Sequence, residues 1–111
     1  NEIFRHIKKF RFSCLAKRHR NCAIYNWYVD NLITRHVLMP SGEVTVQTCG
    51  NPSGQVSTTM DNNMVNTFLQ AFEYYDWESF DTLIYGDDRL STFPSVPSDY
   101  VETVVTMYRN I

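Results

Sequence analysis

The apolar run Thr82-Leu83-Ile84-Tyr85 stops at Gly86-Asp87-Asp88 and resumes as Arg89-Leu90-Ser91. That pattern predicts a tight β-hairpin with its strands on either side of the break. Gly86 supplies the backbone angles such a turn needs and leaves room beside it for a nucleic acid terminus. The turn also sets two carboxylates side by side. At about 4 Å and an effective dielectric near 20, two like charges repel by about 4 kcal/mol. A hard divalent cation such as Mg²⁺ offsets that repulsion, keeps several waters and bridges to phosphates. Asp and Gly are also ordinary turn residues, so a lone Gly-Asp-Asp is weak support for a metal site.

A second element is Gly50-Asn51-Pro52-Ser53-Gly54, followed by Thr58 and Asn62. This loop of small residues opens straight into a predicted helix over residues 58–75. Backbone amides at such a junction can face phosphate. Thr58 and Asn62 are four residues apart and share one helix face, where a hydroxyl and an amide could bind a ribose hydroxyl. The plainer alternative is a capped helix start with a polar face. Met60, Met64, Val65, Phe68, Leu69 and Phe72 recur at helical spacing and read as that helix's core stripe.

The remaining elements follow from periodicity. Residues 2–19 predict a helix with Ile3, Ile7, Phe10 and Leu15 as its apolar face and basic residues around the rest. A second helix is expected over residues 21–34, facing inward with Ile24, Trp27, Tyr28 and Leu32. Residues 36–39 and 43–48 flank Pro40-Ser41-Gly42 and read as a hairpin, with Val44 and Val46 on a buried face and Thr45 and Gln47 on a wet one. Pro94 and Pro97 break the chain. A last helix starts near Ser98 or Asp99, with Glu102 placed for a reciprocal cap and Val101, Val104, Val105 and Tyr108 as its apolar face. The order helix, helix, hairpin, loop, helix, hairpin, helix is α+β with antiparallel strands.

At the Gly50 and Tyr85 elements together, the sequence resembles the viral RNA-dependent RNA polymerases. The region 50–66, with Ser53, Gly54, Thr58 and Asn62, is similar to their motif B. The region 82–91, with Tyr85-Gly86-Asp87-Asp88, is similar to their motif C. The run from Gly50 to Asn66, Leu69 to Glu73 and Tyr85 to Leu90 most resembles the astrovirus members of positive-strand virus polymerases. The resemblance implies the palm, with adjoining fingers, of a right-hand polymerase over residues 1–111, its antiparallel hairpins packed with helices. It implies that Asp87 and Asp88 bind catalytic Mg²⁺ (Mn²⁺ can stand in), with Asp88 the more dispensable. It assigns Thr58 and Asn62 to recognition of the ribose of the incoming nucleotide. Ser53 and Gly54 would form the mobile loop that handles the template and nascent pair. The implied reaction is addition of ribonucleotides to an RNA 3′ end by two-metal phosphoryl transfer. The implied partners are an RNA template and nascent strand, ribonucleoside triphosphates and other viral replication proteins, and no DNA. The implied location is the host cytoplasm, at membrane-associated replication complexes.

One departure stands out. The family's motif A carries two aspartates separated by four or five residues, and Glu2 is the sole acid in residues 1–20. Motif A, the motif D lysine and the thumb are therefore expected to lie outside this chain, and the chain alone is expected to be inactive. With no initiator Met, the chain is expected to begin inside a longer protein or after processing. Two rival classes are a reverse transcriptase and a non-catalytic RNA-binding module. The first also carries Asp-Asp on a hairpin but excludes ribose with a bulky side chain, which Thr58 with Asn62 argues against. The second would use the basic start of the chain as its RNA face.

Composition sets outer bounds. Seven Phe, seven Tyr and two Trp in 111 residues exclude intrinsic disorder. No stretch of about 18 apolar residues occurs, so no transmembrane segment is expected. Residues 1–20 hold seven basic side chains against one acid, and residues 61–111 hold two against nine. That asymmetry reads as a polyanion face beside a cation face, or more simply as two solvated surfaces. Cys14, Cys22 and Cys49 form no paired motif with each other or with His6, His19 and His36. They are expected to be reduced and at least half-buried.

Overall fold

The computed structural model describes residues 1–110. Four helices and two hairpins follow in order: α1 (Glu2–Ser13), α2 (Cys22–Ile33), β1 (Arg35–Leu38), β2 (Val44–Gln47), α3 (Thr58–Glu73), β3 (Asp81–Tyr85), β4 (Asp88–Thr92) and α4 (Tyr100–Arg109). The α+β class is as expected, with both strand pairs antiparallel.

The first helix is shorter than its periodicity implied. It stops at Ser13, and residues 17–19 form a separate 3-10 turn. Arg20 closes the break, its guanidinium donating to the carbonyls of Ser13 (2.6 Å) and Leu15 (2.8 Å). The second helix begins as a capped helix should, with the Asn21 side chain accepting from the Ile24 amide at 3.1 Å. The last helix starts after Asp99, but neither Asp99 nor Glu102 forms the expected side-chain cap.

Burial departs from the apolar stripes. The buried apolar residues are Ile7, Val29, Leu32, Ile33 and Tyr74, joined by the polar Lys8, Asp61 and Gln70. Phe10 and Leu15 on α1, and Ile24 and Trp27 on α2, are exposed. On α3, Met60, Phe68 and Phe72 are exposed, and the expected stripe holds only in its half-buried members Met64, Val65 and Leu69. Both faces of β2 are exposed, Val44 and Val46 included, so the expected buried face is absent. The three cysteines are free and exposed rather than buried.

The physical reason is an open shape. The radius of gyration is 17.2 Å, against about 13 Å for a close-packed domain of this size. Three layers meet at α3: α1 packs on one side, α2 packs behind α1, and the β3–β4 hairpin packs on the other side of α3. Beyond the end of α3 an aromatic cluster forms, in which Tyr74 lies 4.8 Å from Trp77, 5.0 Å from Phe80 and 5.2 Å from Phe93 between ring centres. Tyr100 joins it from the start of α4, 5.5 Å from Trp77. These edge and tilted contacts are the geometry aromatic rings prefer. They fix the far end of the hairpin relative to α3 and α4.

Candidate functional site

The Gly86 turn connects β3 and β4 through two residues, since Tyr85 pairs with Asp88. Gly86 alone in that turn takes positive φ, +65°, as a type II′ hairpin turn requires. Asp87 stands at the tip, whereas Asp88 is the first residue of β4 rather than part of the tip.

Two asparagines of α3 hold this turn from beneath. The Gly86 amide donates to Asn63 Oδ1 at 2.5 Å. The Asn66 side-chain nitrogen lies 3.4, 3.2 and 3.3 Å from the carbonyl oxygens of Gly86, Asp87 and Asp88. The Gly86 amide and the three carbonyls are thereby met by side chains. Asn63 and Asn66 are three apart on one helix face. Neither was among the candidate residues read from the sequence, although Asn63 directly follows Asn62 and Asn66 lies one helix turn beyond it.

Asn62 and Asp87 come together on the walls of one cleft of about 480 Å³, with Asn66, Glu73, Arg89 and Tyr108 further along it. Thr58, Ser53 and Gly54 lie outside this lining. The Thr58 hydroxyl turns back on the loop, donating to the carbonyls of Pro52 (2.6 Å) and Gln55 (3.1 Å). Ser53 and Gly54 sit exposed on that loop, Gly54 with φ of +81°. Neither Asp87 nor Asp88 takes part in the ion pairs of the described residues. Arg89, the basic residue nearest them in sequence, is committed elsewhere. It donates to Glu73 at 2.5 Å and stacks over the Tyr74 ring at 5.5 Å. Tyr108 also donates to Glu73, which ties α4 to α3. Burial and that bond push the Tyr108 hydroxyl up to about 12.

A second polar group lies on the opposite side of α3. Asp61 is fully buried and pairs with Lys8 and Arg11 of α1, each at 2.5 Å. Its carboxylate also accepts from Ser57 Oγ (2.9 Å) and Gln55 Nε2 (3.0 Å). Lys8 is itself buried, donates to Tyr28 and Ser57 at 3.1 Å each, and lies over the Tyr28 ring at 4.8 Å. Burial pushes the Asp61 carboxyl up, but the bonds from Lys8, Arg11 and Ser57 outweigh it and hold it below 3.8. The basic first helix is therefore not a plain solvated face: Lys8 and Arg11 grip Asp61, and Arg5 pairs with Asp30 at 2.8 Å. Phe4, Ile7, Lys8 and Arg11 follow i, i+3, i+4, i+7 spacing. The cluster thus occupies one helix face, which an apolar pattern misses because two of its members are charged.

The family model described as viral RNA-dependent RNA polymerase matches residues 1–111. The chain is similar to non-structural polyprotein 1AB of ovine astrovirus 1, with 60% identity covering 100% of this chain and 9% of the relative. Similarity to the same polyprotein of human astrovirus-1 is 59% over 98% of this chain and 8% of the relative. For turkey astrovirus 2 it is 40% over 98% and 8%. The chain thus spans less than a tenth of the length of these relatives. No solved structure matches it.

Proposed function

The chain belongs to the viral RNA-dependent RNA polymerase family, and on that premise we propose that it forms the part of the polymerase palm, with adjoining fingers, that carries motifs B and C. The observation that carries this reading is the clamp from Asn63 and Asn66, which holds the turn whose tip residue Asp87 lines the same cleft as Asn62.

Asp87 and Asp88 are the residues to hold Mg²⁺. Their oxygens are hard donors, and the ion pairs of the described residues leave both free to bind a cation. No group of three such ligand side chains occurs among the described residues, so a further carboxylate is assigned to the motif A strand of the longer protein. When bound, the metal pair supplies charge neutralisation and orientation for phosphoryl transfer to a primer 3′-hydroxyl. The chain's own residues position the substrate. Asn62 reads the ribose from the cleft wall. Thr58 braces the loop that carries Ser53 and Gly54, which handles the template and nascent pair. Asn63 and Asn66 keep the Gly86 turn, and with it Asp87, at a fixed height above α3.

In the longer protein this region acts on an RNA template and nascent strand with ribonucleoside triphosphates, beside other viral replication proteins at membrane-associated complexes of the host cytoplasm. No helix among the described residues is long and apolar enough to cross a membrane. The test is the ratio of kcat/KM for ribonucleotides to that for deoxyribonucleotides in the full-length polymerase. A preference for ribonucleotides is expected. A preference for deoxyribonucleotides would overturn the reading in favour of reverse transcription.

A further inference from the structure

Asn62 reaches the cleft with one edge of its amide already used: its Oδ1 accepts from Asn51 Nδ2 at 2.7 Å. The oxygen and nitrogen of an amide are alike in shape, so their partners decide which is which. Here each link is fixed by a group that cannot reverse its role. The Asp61 carboxylate, paired with Lys8 and Arg11, can only accept. The Ser57 backbone amide can only donate. Gln55 lies between them, giving Nε2 to Asp61 at 3.0 Å and taking the Ser57 amide on Oε1 at 2.9 Å. The same Nε2 donates to Asn51 Oδ1 at 3.2 Å. The Thr58 carbonyl, which can only accept, takes Asn51 Nδ2 at 3.2 Å. Asn51 therefore presents nitrogen to Asn62, and Asn62 answers with oxygen.

We propose that this relay, from Lys8 and Asp61 through Gln55 and Asn51, holds Asn62 with its Nδ2 edge toward the cleft, as a hydrogen-bond donor to the 2′ position of the incoming nucleotide. Asn51 is then a positioning residue for sugar selection. The proposal rests on the assignment of Asn62 to ribose recognition. A 2′-hydroxyl both donates and accepts, so the natural substrate does not reveal which edge Asn62 offers. A 2′-fluorine does, because it accepts weakly and cannot donate. A 2′-hydrogen does neither.

The experiment is single-nucleotide incorporation by the full-length polymerase with ribo-, 2′-fluoro- and 2′-deoxynucleoside triphosphates, read as kcat/KM. The wild-type order expected is ribo, then fluoro, then deoxy. In Asn51→Asp, which keeps the shape, the new carboxylate cannot donate, so the Asn62 amide turns over and offers oxygen to the cleft. The fluoro substrate is then expected to fall about 3- to 10-fold relative to ribo, the worth of one net hydrogen bond. The ribo substrate is expected to hold, since its hydroxyl can donate instead. A loss spread equally over all three sugars would mark a structural role alone and overturn the proposal. Asn51→Ala adds no charge and carries the test if the Asp variant does not fold. There the advantage of fluoro over deoxy is expected to shrink, and an unchanged ratio in a folded protein would overturn the proposal. Asn62→Ala separates the two levels. Sugar selection intact in that variant would overturn the ribose reading itself. Selection lost there but unchanged in both Asn51 variants would overturn only the relay.

Discussion

The two hairpins follow one sequence logic and end in opposite situations. Each joins short antiparallel strands through a turn with a single positive-φ glycine, Gly42 in the first and Gly86 in the second. Each turn carries an exposed carboxylate, Glu43 or Asp87. The first turn closes on its own backbone, the Met39 amide donating to the Glu43 carbonyl at 2.8 Å, and residues 39–43 are all exposed. The second rests on α3, where Asn63 and Asn66 meet its inner groups. Turn residues therefore specify a hairpin, while a site needs a support beneath it that fixes where the turn stands.

That contrast can be broken at several depths. The deepest is the anchorage of α3 itself. Asp61→Ala leaves Lys8 buried without its counter-charge, and breaking such a pair costs about 3–5 kcal/mol. Urea unfolding of the full-length polymerase is expected to show the loss in the transition that includes this region. The same pair predicts a pH dependence. The Asp61 carboxyl is held below its ordinary 3.8 in the folded protein. Its stabilisation is therefore fully present above 3.8 and is lost as pH falls through the lowered native value. In Asp61→Ala that part of the acid sensitivity should disappear, which melting curves at descending pH would register.

Next comes the clamp. Replacing Asn63 and Asn66 together by Ala frees the turn while leaving the strands paired. Incorporation is expected to fall by about 10- to 100-fold, since a displacement near 1 Å at a reacting centre can cost that much. Ser41→Ala, which removes the matching contact to Glu43 in the first turn (3.1 Å), is expected to leave incorporation unchanged. Equal effects from the two would erase the distinction between the hairpins.

The smallest effect is the backbone strain alone. A side chain at positive φ costs about 1 kcal/mol, so Gly42→Ala and Gly86→Ala should destabilise alike. Nothing lies within 4 Å of the added carbon at either position. Only Gly86→Ala is expected to lower activity, because only that turn sets a residue on the cleft.

Much of this was legible in the sequence. The hairpins, α2, α3 and α4 fall within a residue or two of their patterns, because Gly, Pro and capping residues act locally. The end of α1 did not: the helix stops at Ser13, and Arg20 reaches back to the carbonyls of Ser13 and Leu15 across the break. Burial was legible least. Periodicity ranks side chains by hydropathy, and here Lys8, Asp61 and Gln70 are buried while Phe68, Phe72 and Trp27 are exposed. Charges that neutralise one another can be buried, and an open arrangement leaves apolar faces uncovered. The site residues Asp87 and Asn62 were legible from motif resemblance. The groups that hold them, Asn51, Gln55, Asn63 and Asn66, were not, because an amide can donate or accept and its role is set by the partners the fold brings to it.

The second hairpin is set apart most directly by the carboxylate at its tip. Single-nucleotide incorporation in Mg²⁺ by full-length Asp87→Asn, with its melting temperature measured alongside, tests it. The result expected is incorporation at background with melting unchanged, because Asp87 is exposed and its side chain takes no part in the ion pairs of the described residues. Incorporation near the wild-type rate would contradict the assignment of this turn as the catalytic one.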